Sequence, residues 1–360
     1  MRLAEEIKSL MLYANTQGWI DEDDKAFLTR EHPVIPAFYC IPKIHKNSVK
    51  PLGRPIVSAI GSMLEPLSIY TDVFVRPCVR KMKSFIQDRT VMIHHLNIQT
   101  SQQNILVTFD VEALYTSIPQ TKCINILKKY LDKRSDGSTP NSFIQECICL
   151  ALTEYYFIYQ GQFYQQIRDT SMGSTFAPDI VNLYLDNLEN LFIYNDNNKY
   201  RNHLAGWVRY IDDILTIWRG SIAELHDFHT WLNSVDTCIH FTMHYDTNNL
   251  AFLDLNILRT GDGTITTTLY RKPTIKNTLL NFSSFHPQAL KENLPFGQFL
   301  RIRRNCTTLP EYDRHGKDRE NCLKTRGYPA AIIRKARKTA RSTNRTYCLT
   351  KRARVEPKKR

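Results

Sequence analysis

Three acids carry the chemistry that this sequence offers. Asp110 sits at the end of the apolar run ILVTFDV (105–111), and Asp212 and Asp213 lie between two apolar runs in WVRYIDDILTIW (207–218). Carboxylates held on apolar strands are costly unless something cationic neutralises them. Mg2+ suits the role, because it binds through one or two carboxylates and completes its shell with water and phosphate. Two such ions about 3.5–4 Å apart clamp an in-line phosphoryl displacement. A bare Asp-Asp pair is most often a solvated turn. Here the apolar flanks, and a second acid in FDVEALY (109–115) some hundred residues upstream, set the pair apart.

The elements that must position these acids can be read from periodicity. ILVTFDV reads as a buried strand, and the runs around Asp212-Asp213 as two more. Adjacent strand residues point to opposite faces, yet both can project forward at a hairpin tip. Leu3, Ile7, Leu10 and Met11 have helical spacing, and residues 32–55 form a Pro-rich irregular stretch. Helices are expected over 121–131 and 142–156, joined by a polar loop, and a hairpin over 157–164 turning at Gly161. From Pro178, the positions Ile180, Leu183, Tyr184, Leu188, Leu191 and Phe192 mark an amphipathic helix. Residues 222–235 read as helix. Three short strands follow, at 239–245, 251–258 and 264–270. Beyond about residue 285 the chain becomes basic and helical. Strands and helices mix without βαβ alternation, so the expected class is α+β.

Composition bounds the function. The 360 residues are 42% hydrophobic and 23% charged, enough apolar content for a sizeable core. There is no apolar run of transmembrane length, and the charged N-terminus does not read as a signal peptide. Nine scattered cysteines without a CxxC fit a reduced intracellular compartment. His94-His95 lacks the spacing of a zinc site. The net charge of +13 is uneven: residues 1–300 hold 28 Lys and Arg against 30 Asp and Glu, whereas residues 301–360 hold 20 against 5. That basic end suits a polyanion, with a solvated tail as the alternative.

Motifs spread over the chain, taken in order, resemble the reverse transcriptases of Penelope-like retroelements. HPVIPAFYCIPKIHK (32–46) and GRPIVS (53–58) are similar to the fingers signature. TFDVEALYTSIP (108–119) resembles motif A, MGSTFAPDIVNL (172–183) motif B and RYIDD (209–213) motif C. FLDL (252–255) and YRKPT (270–274) resemble later palm segments, and SFHP (284–287) and RIRRNC (301–306) the entry to the thumb. Together they span roughly residues 27–330.

The resemblance implies a right-hand polymerase architecture, with an antiparallel palm sheet flanked by helices. Residues 1–26 would be a helical extension, 27–104 and 118–165 the fingers, 105–117 and 166–282 the palm, 283–335 the thumb and 336–360 a flexible basic tail. It implies an RNA-directed DNA polymerase using Mg2+, with Mn2+ as a substitute. Asp110, Asp212 and Asp213, with the carbonyl of Val111, would hold the metal. Lys43 and Arg54 would meet the triphosphate, ordinary surface pairing being the alternative. Tyr115 would be the gate against a ribose 2′-hydroxyl, and Met172 would pack beside the nucleotide; core roles are the alternatives for both. Gly173 would let the backbone approach the nascent base pair. Arg271, Lys272, Arg301, Arg303 and Arg304 would lie along the nucleic acid, and Asp254 would be structural. Implied partners are an RNA or DNA template with primer, deoxynucleotides and an endonuclease acting in trans, with no membrane. The basic runs KRAR (351–354) and KKR (358–360) add a nuclear location.

Two departures from the family stand out. Asp169 replaces a usual glycine, at a position where φ > 0 would be tolerable for aspartate. No GIY-YIG endonuclease region follows, as expected of a polymerase core or a truncated element copy. The alternative function is an inactive copy that only binds nucleic acid. A telomerase-like cellular enzyme, or a binding protein acting through the tail alone, are further rivals.

Overall fold

The structure is a computed structural model that describes residues 2–44, 49–96, 103–134, 137, 139–272 and 276–350. In chain order its elements are α1 (Arg2–Thr16), α2 (Glu22–Leu28), β1 (Phe38–Pro42), β2 (Gly53–Val57), α3 (Glu65–Arg80), α4 (Arg89–His95), β3 (Ile105–Val111), α5 (Gln120–Leu131), α6 (Asn141–Thr153), β4 (Tyr156–Tyr159), β5 (Gln162–Gln165), α7 (Ala177–Leu188), β6 (Leu204–Tyr210), β7 (Asp213–Trp218), α8 (Ile222–Leu232), β8 (Phe241–Asp246), β9 (Asn249–Phe252), β10 (Leu255–Arg259), β11 (Ile265–Leu269), α9 (Gln288–Asn305), α10 (Leu309–Lys324), α11 (Ala330–Ser342) and α12 (Arg345–Leu349). They fall into two compact units. One comprises Met1–Phe85, Phe109–Ile214 and Ser221–Met243, the other Ile86–Thr108, Leu215–Gly220 and His244–Arg360. The mixed class matches the α+β expectation.

In the first unit, α3, α5, α6 and α7 bury one another's apolar faces. Leu67 and Val75 of α3, Leu127 of α5, Cys147 and Ile148 of α6, and Val181 and Tyr184 of α7 are all buried. Each large apolar side chain so buried contributes about 1.5–3 kcal/mol. The Pro-rich stretch is not irregular throughout: β1 and β2 pair antiparallel from Phe38↔Val57 to Pro42↔Gly53. Pro42 and Pro55 are tolerated because each strand of a two-stranded ribbon has an unpaired edge. The β4–β5 hairpin turns at Gln160 and Gly161, both at positive φ, as a tight hairpin requires. Ile158 donates its N–H to the Pro36 carbonyl at 2.8 Å, tying the two ribbons together. The helix expected over 142–156 stops at Thr153, because Tyr156 already belongs to β4.

A four-stranded sheet has the order β6-β7-β3-β8. Its inner strands β3 and β7 are buried along most of their length, which explains their nearly unbroken apolar runs.

The second unit holds the antiparallel sheet β11-β10-β9 and helices α9 to α12. Leu269, Phe299, Ile302, Tyr312, Leu323 and Ile333 form its core. The single strand expected over 251–258 is two strands. Leu253 takes a left-handed conformation (φ 55°), and the chain reverses there so that β9 pairs with β10. Among the described residues, no helix is long and apolar enough to cross a membrane.

Candidate active site

The acid-bearing segments converge through their backbones. Asp110 is the penultimate residue of β3. Asp212 follows Ile211 in the two-residue turn between β6 and β7, and Asp213 opens β7. The Val111 N–H donates to the Asp212 carbonyl at 3.2 Å, so the end of β3 lies directly against that turn. On the other side, the Glu112 N–H donates to the His240 carbonyl at 2.9 Å, and the Thr242 hydroxyl to the Asp110 carbonyl at 3.3 Å. All three acids are partly exposed. Apolar runs thus anchor each acid at a strand end.

Among the described residues, no three His, Cys, Asp or Glu side chains converge into a metal cage. A hard divalent cation that takes one or two carboxylates and fills its shell from water and phosphate needs no such cage. The oxygen donors of Asp110 and Asp212 fit that demand.

Of the residues expected at the nucleotide, Tyr115 and Arg54 lie within electrostatic reach of one another, and Tyr115 of Asp212. Tyr115 lies in a short 3₁₀ turn entered through Ala113, which is at φ 49°. Burial pushes its phenol up to about 12; the charges of Asp212 and Asp179 push the same way, and Arg54 opposes them. Arg54, Tyr115, Asp179 and Asp212 therefore share one electrostatic neighbourhood. Arg54 pairs with Ile41 across the ribbon, and the Lys43 N–H, just past the end of β1, donates to the Leu52 carbonyl at 2.8 Å. His45 and Lys46 of the same signature lie outside the described residues.

Gly173 is constrained by the chain's own backbone. It sits at φ 140°, and a Cβ there would stand 2.1 Å from the Val57 carbonyl oxygen. Around it the Val57 N–H donates to the Met172 carbonyl at 3.0 Å, and the Tyr155 hydroxyl to the Val57 carbonyl at 3.1 Å. The close approach that the glycine permits is thus by the protein's own β2. Met172 is partly buried beside it. Asp169 is at φ 65°, the conformation that a glycine would supply. The Thr170 N–H then reaches the Tyr115 carbonyl at 3.0 Å.

Two groups were missed by sequence reasoning. Asp179, on the first turn of α7, lies against Asp72 of α3. Burial, with the hydrogen bond and charge of Asp179, raises the Asp72 carboxyl to about 7, against the pull of Arg76. Arg209, the penultimate residue of β6, is wholly buried, and its Nε meets Glu189 at 2.7 Å. A charge amid an apolar strand run was the available signal for Arg209; nothing local marked Asp72.

The C-terminal arginines divide. Arg301 grips Asp254 through Nε (3.0 Å) and Nη2 (2.8 Å), which agrees with the structural role expected of that acid. Arg303 Nε donates to the Thr343 carbonyl at 3.1 Å, and Arg304 Nε to the Cys348 carbonyl at 2.9 Å. These three side chains, expected along nucleic acid, are engaged within the protein. Among the described residues, the buried Nη2 of Arg271 has no hydrogen-bond partner, and Lys272 is exposed. Pro273 and Thr274 lie outside the described residues. By contrast, Arg334, Lys335 and Lys338 stand exposed on α11, opposite the buried Ile333, Ala336 and Ala340.

A family model described as an animal helix-turn-helix domain matches residues 278–338, which include α9, α10 and most of α11. No curated protein matches the chain. Among solved structures, a telomerase from Candida albicans in complex with a fragment of telomeric RNA aligns at a TM-score of 0.57 and 12% identity, over 91% of this chain and 59% of that one. An RNA-dependent RNA polymerase of a human picobirnavirus aligns at 0.52 and 13%, over 88% and 61%. A Candida tropicalis telomerase aligns at 0.50 and 12%, over 87% and 59%. The chain spans about three fifths of the length of these structures. At such identities the likeness is one of fold: the chain has the fold of these template-directed polymerases.

Proposed function

We propose that the chain is an RNA-directed DNA polymerase of the reverse-transcriptase kind carried by Penelope-like retroelements. The observation that carries this is the junction of Asp110 and Asp212 at the Val111-to-Asp212 hydrogen bond. It lies in a fold shared with telomerase and a viral RNA polymerase. Asp110 and Asp212, supported by Asp213 and the Val111 carbonyl, would hold Mg2+, or Mn2+ in its place. Bound there, the metal would neutralise charge as the primer 3′-hydroxyl attacks the α-phosphate of a deoxynucleoside triphosphate and pyrophosphate leaves.

The chain's own residues do the positioning. Lys43 and Arg54, at the same end of the β1–β2 ribbon, would present two cations to a triphosphate. Tyr115, within electrostatic reach of Asp212, would close off the space that a ribose 2′-hydroxyl needs. The Met172-Gly173 segment, braced by β2, would form the floor beside it. Arg271, Lys272 and the exposed cations of α11 suit the phosphodiester backbone of a primer with its RNA or DNA template. Fingers, palm and thumb would take the boundaries expected from the sequence, and an endonuclease would act in trans.

The test is primer extension on an RNA template with deoxynucleotides and Mg2+ or Mn2+, beside an Asp212→Ala, Asp213→Ala double variant. Extension by the wild type alone supports the reading. Primer–template binding with no extension in either metal would leave a nucleic-acid-binding protein and overturn it.

A further inference from the structure

Arg209 is 0% exposed, in the strand that leads into the acid-bearing turn. A buried guanidinium must satisfy five N–H donors and its charge. Among the described residues, the only carboxylate bonded to it is Glu189, itself 2% exposed, which accepts from Nε at 2.7 Å and from Nη2 at 3.3 Å. Glu189 is held in turn by Trp207 Nε1 at 2.9 Å and by the Ser84 hydroxyl at 2.5 Å. The remaining donors reach out in two directions. Nη1 donates to Asn182 Oδ1 at 2.5 Å, on α7, the helix that follows the Gly173 loop. It also reaches the Ile211 carbonyl at 3.4 Å.

That last contact gives the network its meaning. Ile211 is at φ 55°, a conformation that a β-branched residue rarely adopts, and Asp212 is the next residue. Such backbone persists only where its surroundings over-determine it. Stability alone does not call for an ion pair here, because a well-packed apolar replacement serves a core equally well or better. What an apolar side chain lacks is a rigid fork able to hold a helix and a turn together.

We propose that Arg209, with Glu189 as its counter-ion, is a positioning residue: it locks the strained Ile211–Asp212 turn to α7 and so sets where the Asp212 carboxylate stands. The inference rests on the polymerase reading for its catalytic consequence. The turn itself can be probed without catalysis.

Three proteins decide it: the wild type, Arg209→Lys, which keeps the charge and loses the fork, and the pair Arg209→Met with Glu189→Gln, which leaves no orphaned buried charge. Thermal melting and primer–template affinity show which variants are folded and bind. The double variant is expected to melt close to the wild type and to bind primer–template equally. Its kcat should fall at least thirtyfold with KM for the deoxynucleotide little changed. Half-saturation by Mn2+, followed by electron paramagnetic resonance, should move up at least fivefold in every folded variant. A double variant with wild-type kcat and wild-type Mn2+ affinity overturns the proposal. If the wild type extends no primer, the polymerase reading fails separately, and the Mn2+ titration alone decides: an upward move supports the positioning role and none overturns it. If the double variant does not fold, Arg209→Lys decides by the same two readouts.

Discussion

Gly173 and Asp169 sit four residues apart in the loop before α7, both at positive φ, yet they tolerate change very differently. Asp169 needs only its backbone conformation, which aspartate adopts at modest cost. Gly173 needs absence of mass as well, because any Cβ would meet the Val57 carbonyl at 2.1 Å. Gly173→Ala is therefore expected to cost about 3 kcal/mol or more in stability. Chemical denaturation would detect it as a lowered midpoint at unchanged slope. The Asp72–Asp179 pair makes a second prediction at this scale. The unfolded Asp72 carboxyl loses its proton near pH 4, but burial beside Asp179 delays this to about pH 7 in the folded chain. Between those values the folded state binds the extra proton, so this group's contribution to stability falls as pH rises through the window. Asp72→Asn should raise the melting temperature more at pH 8 than at pH 4. Equal effects at both would contradict the assignment.

At the scale of elements, much was legible because it is local. The apolar runs ending in Asp110 and Asp212, the hairpin at Gly161 and the helix beginning near Pro178 depend on patterning within a dozen residues. The split of residues 251–258 into β9 and β10 was not legible, since Leu253 carries no turn signal; its left-handed backbone comes from strand pairing. The Arg303 and Arg304 assignments needed structure for a similar reason. Their partners, the Thr343 and Cys348 carbonyls, lie about forty residues further along the chain. The two arginine sets therefore predict opposite behaviour. Arg304→Ala should lower the melting temperature and leave the salt dependence of nucleic-acid binding nearly unchanged. Replacing Arg334, Lys335 and Lys338 of α11 with glutamate should leave melting almost unaffected and weaken binding, with a shallower dependence on log salt. Melting curves and binding isotherms at several salt concentrations separate them.

For the whole molecule, charge is the property most unevenly laid down. Residues 351–360 alone carry six Lys and Arg against one Glu. If each cation neutralises one phosphate, removing this segment should flatten the log affinity against log salt slope for a duplex by up to about 5. Extension at saturating primer–template should persist. A chain that lost all binding with the tail would be a tail-driven binder instead.

Some features of this protein were determined by sequence alone. The α+β class, the placement of acids at strand ends and the concentration of positive charge follow from patterns carried within short windows. Tertiary structure decided the rest. It brought Asp110 beside Asp212, set β2 against Gly173, and gave Arg209 the Glu189 carboxylate and further acceptors that include the Ser84 hydroxyl, 125 residues away. Periodicity and turn chemistry act between near neighbours, so they can be read along the chain. The partner of a buried charge and the clearance around a missing side chain are set by segments far apart in sequence, and only packing brings those together.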